Sequence, residues 1–371
     1  MTVDSSNQRI ARLTPLGAVL TLIESRIKPV PPKTMRAATA RRLTLAEDVA
    51  ASRQPAQAIA LRDGFAVDAG AIGDAGPYTP VPLTLTARRI DAGDPLPDGT
   101  DAVLPLDAVT LRGKSAEAIA AVSPGEGVLL AGGDVVPQIP LRRAGQRLRV
   151  VDIGAIQAAR AEAAAVREPS IGVALGGVGG TAVINAALGM LVHLIFDAGG
   201  NVPDDPTALA AALADEKTDA IMAVGGTGSG RRDGAVQELA RFGQVEAHGI
   251  AICPGETAAF GFIGQRPVLL LPGRIDAALA VWLLLGRHIV AKLAGGKVED
   301  MPVTLPLRRK VTSSIGMTEL IPVRCEGGMA EPVGSGYLSL TALSGSDGWI
   351  VIPPDSEGFA AGSQVAVNPW P

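Results

Sequence analysis

Aromatic residues are scarce: Phe, Tyr and Trp make up 3% of the 371 residues. So few rings exclude a stacking platform for single-stranded bases. Positive charge is not in excess either, because 33 Lys and Arg face 37 Asp and Glu for a net charge of −4, whereas polymer phosphate calls for a net basic face. No nucleic acid partner is expected. The two cysteines, Cys253 and Cys325, have no CxxC or Cys/His spacing, which argues against a zinc site or a disulfide framework and for a reducing, cytoplasmic setting. Only three histidines are present, with no Ser/His/Asp order and no HExxH, so a nucleophilic triad has no support. His193 reads as part of an apolar strand and His288 as part of an apolar helix, both as core or interface residues, and His248 as a loop residue. Long apolar runs are missing too. The N-terminus has no apolar signal segment, and the longest apolar helix, 277–293, is broken by Arg287 and His288 and is too short for a bilayer. Neither export nor membrane attachment is expected.

Hydrophobic residues reach 47% and charged ones 19%, which suits buried helices and parallel strands. The length exceeds one ordinary core and implies two to four domains. Residues 14–27 space their apolar positions as a helix, opened by Thr14 and Pro15 and closed by the prolines at 29–32. A second short element follows in TARRLTLAEDVA. From 55 to 134 short β-type runs (VPLTLTARRI, AVLPL, AVTL) alternate with Gly, Pro and Asp turns, predicting a β-domain inserted into a helical one. Helix is expected again over 142–167. From Ser170 to Gly296 strands, glycine loops and helices alternate as βα units do, with strands predicted at 171–175, 191–198, 219–224 and 267–272. Short strands return after Val303. The expected architecture is a multidomain α/β protein: a helical linker domain (1–54 and 135–168), an inserted β-domain (55–134), a three-layer α/β domain (169–298) and a C-terminal β-domain or small barrel (299–371).

Three loops leave the carboxyl ends of predicted parallel strands: GGVGGT (176–181), GGTGSG (225–230) and PGRID (272–276). That edge is where open α/β sheets bind ligands. Glycine lets backbone N–H groups approach an anion, and a following helix offers its positive end. Gly177, Gly179, Gly180, Thr181, Gly225, Gly226, Ser229, Pro254, Gly255, Pro272, Gly273 and Arg274 are the candidate ligand-binding residues. Asp63, Asp134, Asp204, Asp205 and Asp233 sit in Gly- or Pro-rich loops, where carboxylates near phosphate suit a hard cation such as Mg²⁺. A competing reading is NAD(P) binding, since Gly177, Gly179 and Ala182 spell GxGxxA and Asp197 would end the next strand. Against it, the helix after the loop is expected to be short, ending before Gly189, and the unit sits mid-chain behind a β-domain.

The order of these motifs resembles the molybdopterin molybdenumtransferases, the MoeA/gephyrin E-domain family. LRDGFAV (61–67) stands for MDGYAV, AGDPLPDGTDAV (92–103) for TGAPLPEGADAV, and LLAGGDV (129–135) for RRRGEDI. VPDDP (202–206) stands for VRDDP, GGTGSGRRD (225–233) for GGVSVGxxD, PGETAAFG (254–261) for PGKPxxFG, and LPGRIDA (271–277) for LPGNPVS. The resemblance implies insertion of molybdate into adenylylated molybdopterin with release of AMP. It implies that Asp63, Asp134, Asp205 and Asp233 are the catalytic acidic groups, with Asp205 and Asp233 holding Mg²⁺, and that the glycine loops bind the pterin and its phosphates. It also implies a homodimer with each site shared between the α/β domain of one subunit and the β-insert of the other.

The departures are as specific as the matches. The family's TGDEL loop is replaced by GGVGGT, which has no counterpart of its Glu. Ala92 replaces the threonine of TGAP, Glu256 the lysine of PGKP, and Arg274 and Ile275 the Asn-Pro of LPGNP. A Lys-to-Glu change reverses charge beside an anion, with Arg274, Arg231 and Arg232 as possible compensating cations. Two readings stand beside each other: a molybdenum insertase, and a carrier that binds molybdopterin or finished cofactor for a molybdoenzyme without inserting the metal.

Overall fold

The structure is a computed structural model and describes residues 8–85, 87–112, 115–177 and 179–371. Helix α1 (Leu16–Arg26) buries Val19 and Ile23 against the main core. Beyond it, the strands Lys33–Arg36 and Thr44–Leu45 flank Ala163–Arg167, so chain on either side of the β-region closes into one antiparallel sheet. Helix α2 (Val150–Ala158) lies just before that returning strand and buries Ile156 with Leu43, Leu45 and Val166. The predicted helix over 142–167 is thus corrected: it covers nine residues, and AAAV is strand. Between these segments two three-stranded sheets form the β-region, one centred on Gly64–Val67 and one on Ser115–Ala118.

A six-stranded sheet carries the middle of the chain, in the order Thr207–Ala208, Ile171–Leu175, Ala220–Val224, Arg266–Leu271, Ala259–Ile263 and Gln244–His248. The first four are parallel and the last two antiparallel to their neighbours. Helix α3 (Ala182–Asp197) covers one face, while α4 (Leu209–Ala214) and α5 (Ala235–Phe242) cover the other. The central strand shows why it has no polar alternation. Ala220, Met222 and Val224 pack on the α3 side and Ile221 and Ala223 on the α4 and α5 side, so every position meets a core. Helix α6 (Ile275–Val281), a π-helical segment at Trp282–Gly286 and α7 (Arg287–Leu293) run on as one rod against α1 and α3. No helix among the described residues is long and apolar enough to cross a membrane.

The strand predicted at 191–198 is instead the second half of α3, which runs through Gly189 for 16 residues. Leu188, Leu191 and Ile195 are buried while His193 and Phe196 are exposed, a helical period hidden within eight mostly apolar residues. His193 is therefore a surface residue, not a core one. His248 ends a strand and is not in a loop. The C-terminal sheet centres on Thr318–Glu326 and Gly348–Ile352, with Ile252–Cys253 pairing parallel to its edge and tying it to the α/β layer.

Candidate functional site

The three glycine loops meet. A Cβ on Gly176 would lie 2.2 Å from Gly225 O, and one on Gly226 would lie 2.2 Å from Gly176 O, so the first two loops touch backbone to backbone. Gly226 also has φ of +71°, which a side chain rarely adopts. Gly273 completes the group, its added Cβ falling 3.5 Å from Gly225 Cα and 3.3 Å from Ile184 of α3. Gly177 lies against Gly226 N, Gly179 turns at φ +83°, and Gly180 packs on Asn185. Thr181 caps α3 by accepting from Ile184 N at 3.3 Å. The helix thus points its positive end at the loops.

Asp233 fixes the second loop: its carboxylate accepts from Gly230 N at 2.8 Å, and Ala235 N donates to Gly226 O. Ser229 is exposed on that loop. Buried Thr227 joins it to the PGET loop through a 3.0 Å hydroxyl pair with Thr257, and His248 Nε2 lies 3.1 Å from Thr227 O. Pro254 and Gly255 are buried behind this contact. Sequence reasoning missed Gln8, which is buried and donates through Nε2 to Gly226 O and Gly228 O at 2.7 and 2.8 Å. A separation of 218 residues left no local pattern by which to find it.

Of the three arginines the sequence offers as compensating cations, Arg274 is engaged within the protein. Arg274 folds onto Asp276, with Nε 3.0 Å from Oδ1 and Nη2 on Oδ2, and it stacks 4.6 Å from the Tyr337 ring of the C-terminal region. Asp276 is 3% exposed and also accepts from Leu338 N. Arg274 and Asp276 together therefore tie the PGRID loop to the C-terminal segment at Tyr337 and Leu338. Exposed Glu256 accepts from its neighbour Gly255 N, and Arg231 and Arg232 are exposed. Burial, reinforced by Glu319 and Glu256, pushes the Cys253 thiol up to about 11, so it stays protonated at neutral pH and is no nucleophile.

Asp205 is exposed just before the edge strand Thr207–Ala208, which pairs with the end of Ile171–Leu175. Asp63 and Asp134 lie in the β-region. Asp63 accepts from Ala92 N at 2.8 Å, and Asp134 is exposed on the turn beside Gln54. No three His, Cys, Asp or Glu side chains converge as a metal cage among the described residues. Mg²⁺ fits here only as an ion bound by one or two carboxylates and completed by substrate phosphate and water, its usual mode. The NAD(P) reading fails, because Asp197 ends a 16-residue helix about 24 Å from the loop that starts it and cannot reach a ribose there.

Three family models match successive stretches of the chain. A model described as the MoeA N-terminal region, domains I and II, matches residues 1–159. One described as a probable molybdopterin binding domain matches 173–292, and one described as the MoeA C-terminal region, domain IV, matches 304–370. The chain is 28% identical over 347 residues to a putative molybdopterin biosynthesis protein of Methanocaldococcus jannaschii, covering 83% of this chain and 84% of that one. It is 25% identical over 315 residues to a molybdopterin molybdenumtransferase of Haemophilus influenzae, covering 77% of each. The crystal structure of a molybdopterin biosynthesis MoeA protein from Pyrococcus horikoshii superposes with a TM-score of 0.76 at 23% identity, over 97% of this chain and 100% of that one.

Proposed function

The chain belongs to the MoeA family, and from that premise we propose that it inserts molybdate into adenylylated molybdopterin with release of AMP. The convergence of Gly176, Gly225, Gly226 and Gly273 at the end of α3 carries this reading. It creates one patch of close backbone that a pterin phosphate can approach, backed by a helix N-terminus. Asp233 holds the middle loop in shape and, with Asp205, would bind Mg²⁺, which supplies charge neutralisation when bound. Asp63 and Asp134 would reach the patch from a second copy of the chain, making the working form a homodimer.

One observation favours the carrier reading. Arg274 is committed to Asp276 and Tyr337, so with Glu256 at the family's lysine position this patch lacks the cation that the family places there. A single experiment separates the readings: purified protein is given adenylylated molybdopterin, molybdate and Mg²⁺, and AMP is quantified. Stoichiometric or greater AMP release supports insertion, and Asp233→Asn should lower it at least 100-fold while pterin affinity changes by less than about fivefold. Tight pterin binding without AMP release leaves the carrier.

A further inference from the structure

A cavity lies far from the glycine loops. It encloses about 750 Å³ and is lined by Arg41, Arg42, Arg147, Arg149, Arg287 and Lys297. Leu194, Asp197 and Ala198 also line it, which places it at the opposite end of α3, about 24 Å from the loop that caps that helix. Its walls come from the N-terminal region, the α3 and α7 side of the α/β layer, and the closing strand near Trp370.

Pairing accounts for half of the positive charge. Arg42 binds Asp197 at 2.6 Å, Arg287 binds Asp300 at 2.5 Å, and Arg149 binds Asp152 at 2.9 Å. Arg41, Arg147 and Lys297 form no ion pair among the described residues, and Glu299 is the lining acidic side chain left over, with Pro371 also in the wall. Arg147 is the informative member. It is half-buried, and of its five N–H donors only Nε has a partner among the described residues, Arg42 O at 3.0 Å. Burial and the nearby Arg42 charge push its pKa below the usual arginine value, opposed in part by Asp197 and Glu299. The Arg147 Nη nitrogens keep contact with solvent, so their free donors are open to an anion that enters the cavity. Leu148, Met301 and Trp370 add an apolar wall, and the volume suits a small molecule.

We propose that this cavity is a second anion site, independent of the glycine loops, for a small molecule with two or more phosphate-type charges held by Arg41, Arg147 and Lys297. The ligand's organic part packs on Trp370. The test titrates the full chain separately with pyrophosphate and ADP, following tryptophan fluorescence and calorimetry. Both probes should bind saturably, at least tenfold more weakly in Arg147→Gln and in the double variant Arg41→Gln/Lys297→Gln. The double variant alters only exposed side chains outside the ion pairs, so it avoids any loss of the Arg147 bond to Arg42. ADP binding more tightly than pyrophosphate supports packing of the ring on the Trp370 wall, while equal affinity supports the anion site and overturns the packing on Trp370. Thr181→Val/Ser229→Ala in the glycine loops should leave the fluorescence titration unchanged. The assignment is overturned by an absence of saturable signal up to millimolar probe, by affinity within twofold of wild type in the double variant, or by loss of signal in the loop variant.

Discussion

Gly226 shows how narrow the tolerance of the loop cluster is. Alanine there meets both a positive φ and a carbonyl 2.2 Å away, so neither rotation nor side-chain movement relieves it. Gly226→Ala should cost about 2 kcal/mol or more, read as a lower urea midpoint, and should weaken pterin binding further than stability alone explains. Arg274 is a different kind of residue, because its charge is spent within the protein. Arg274→Met leaves buried Asp276 with one backbone donor. A loss of about 1–2 kcal/mol is expected, since the arginine itself is half-exposed, and Arg274→Lys should recover only part because it cannot fork.

At the scale of elements, the rod from Ile275 to Leu293 carries a pH-sensitive group. Burial and neighbouring Arg287 hold His288 down at about 4, opposed by Asp300 and Glu24. Its unfolded value is near 6.5, so the folded state binds fewer protons between the two. The stability tied to neutral His288 is complete above pH 6.5 and drains away as pH falls toward 4. Stability should drop by about 1–3 kcal/mol across that window, and His288→Gln should flatten this part of the profile in urea titrations at stepped pH. Helix α3 is the element whose sequence misled: Asp197 was placed at a strand end, whereas it pairs with Arg42 on the surface.

At the scale of the molecule, the proposed site draws its four aspartates from both the α/β layer and the β-region, and the proposal therefore predicts assembly from two copies. A homodimer at twice the 37.7 kDa chain mass is expected by light scattering. Two inactive variants, Asp63→Asn and Asp233→Asn, should complement each other when co-expressed. Random pairing then leaves one intact site in each mixed dimer, or about a quarter of wild-type AMP release. Release at the level of either variant alone would place both aspartates in one subunit's site.

The order of the motifs, the strands 171–175, 219–224 and 267–272, and the three glycine loops at their ends were legible in the sequence because each depends on local pattern: apolar runs bounded by turn residues. Only the tertiary structure could show that Gly176 meets Gly225 and Gly226, that Gly273 lies against Gly225, that Gln8 reaches across to the second loop, and that Arg274 turns to Asp276 and Tyr337. Those facts join residues far apart in the chain. Burial and charge pairing, which decide what a side chain does, arise only after the chain has closed on itself.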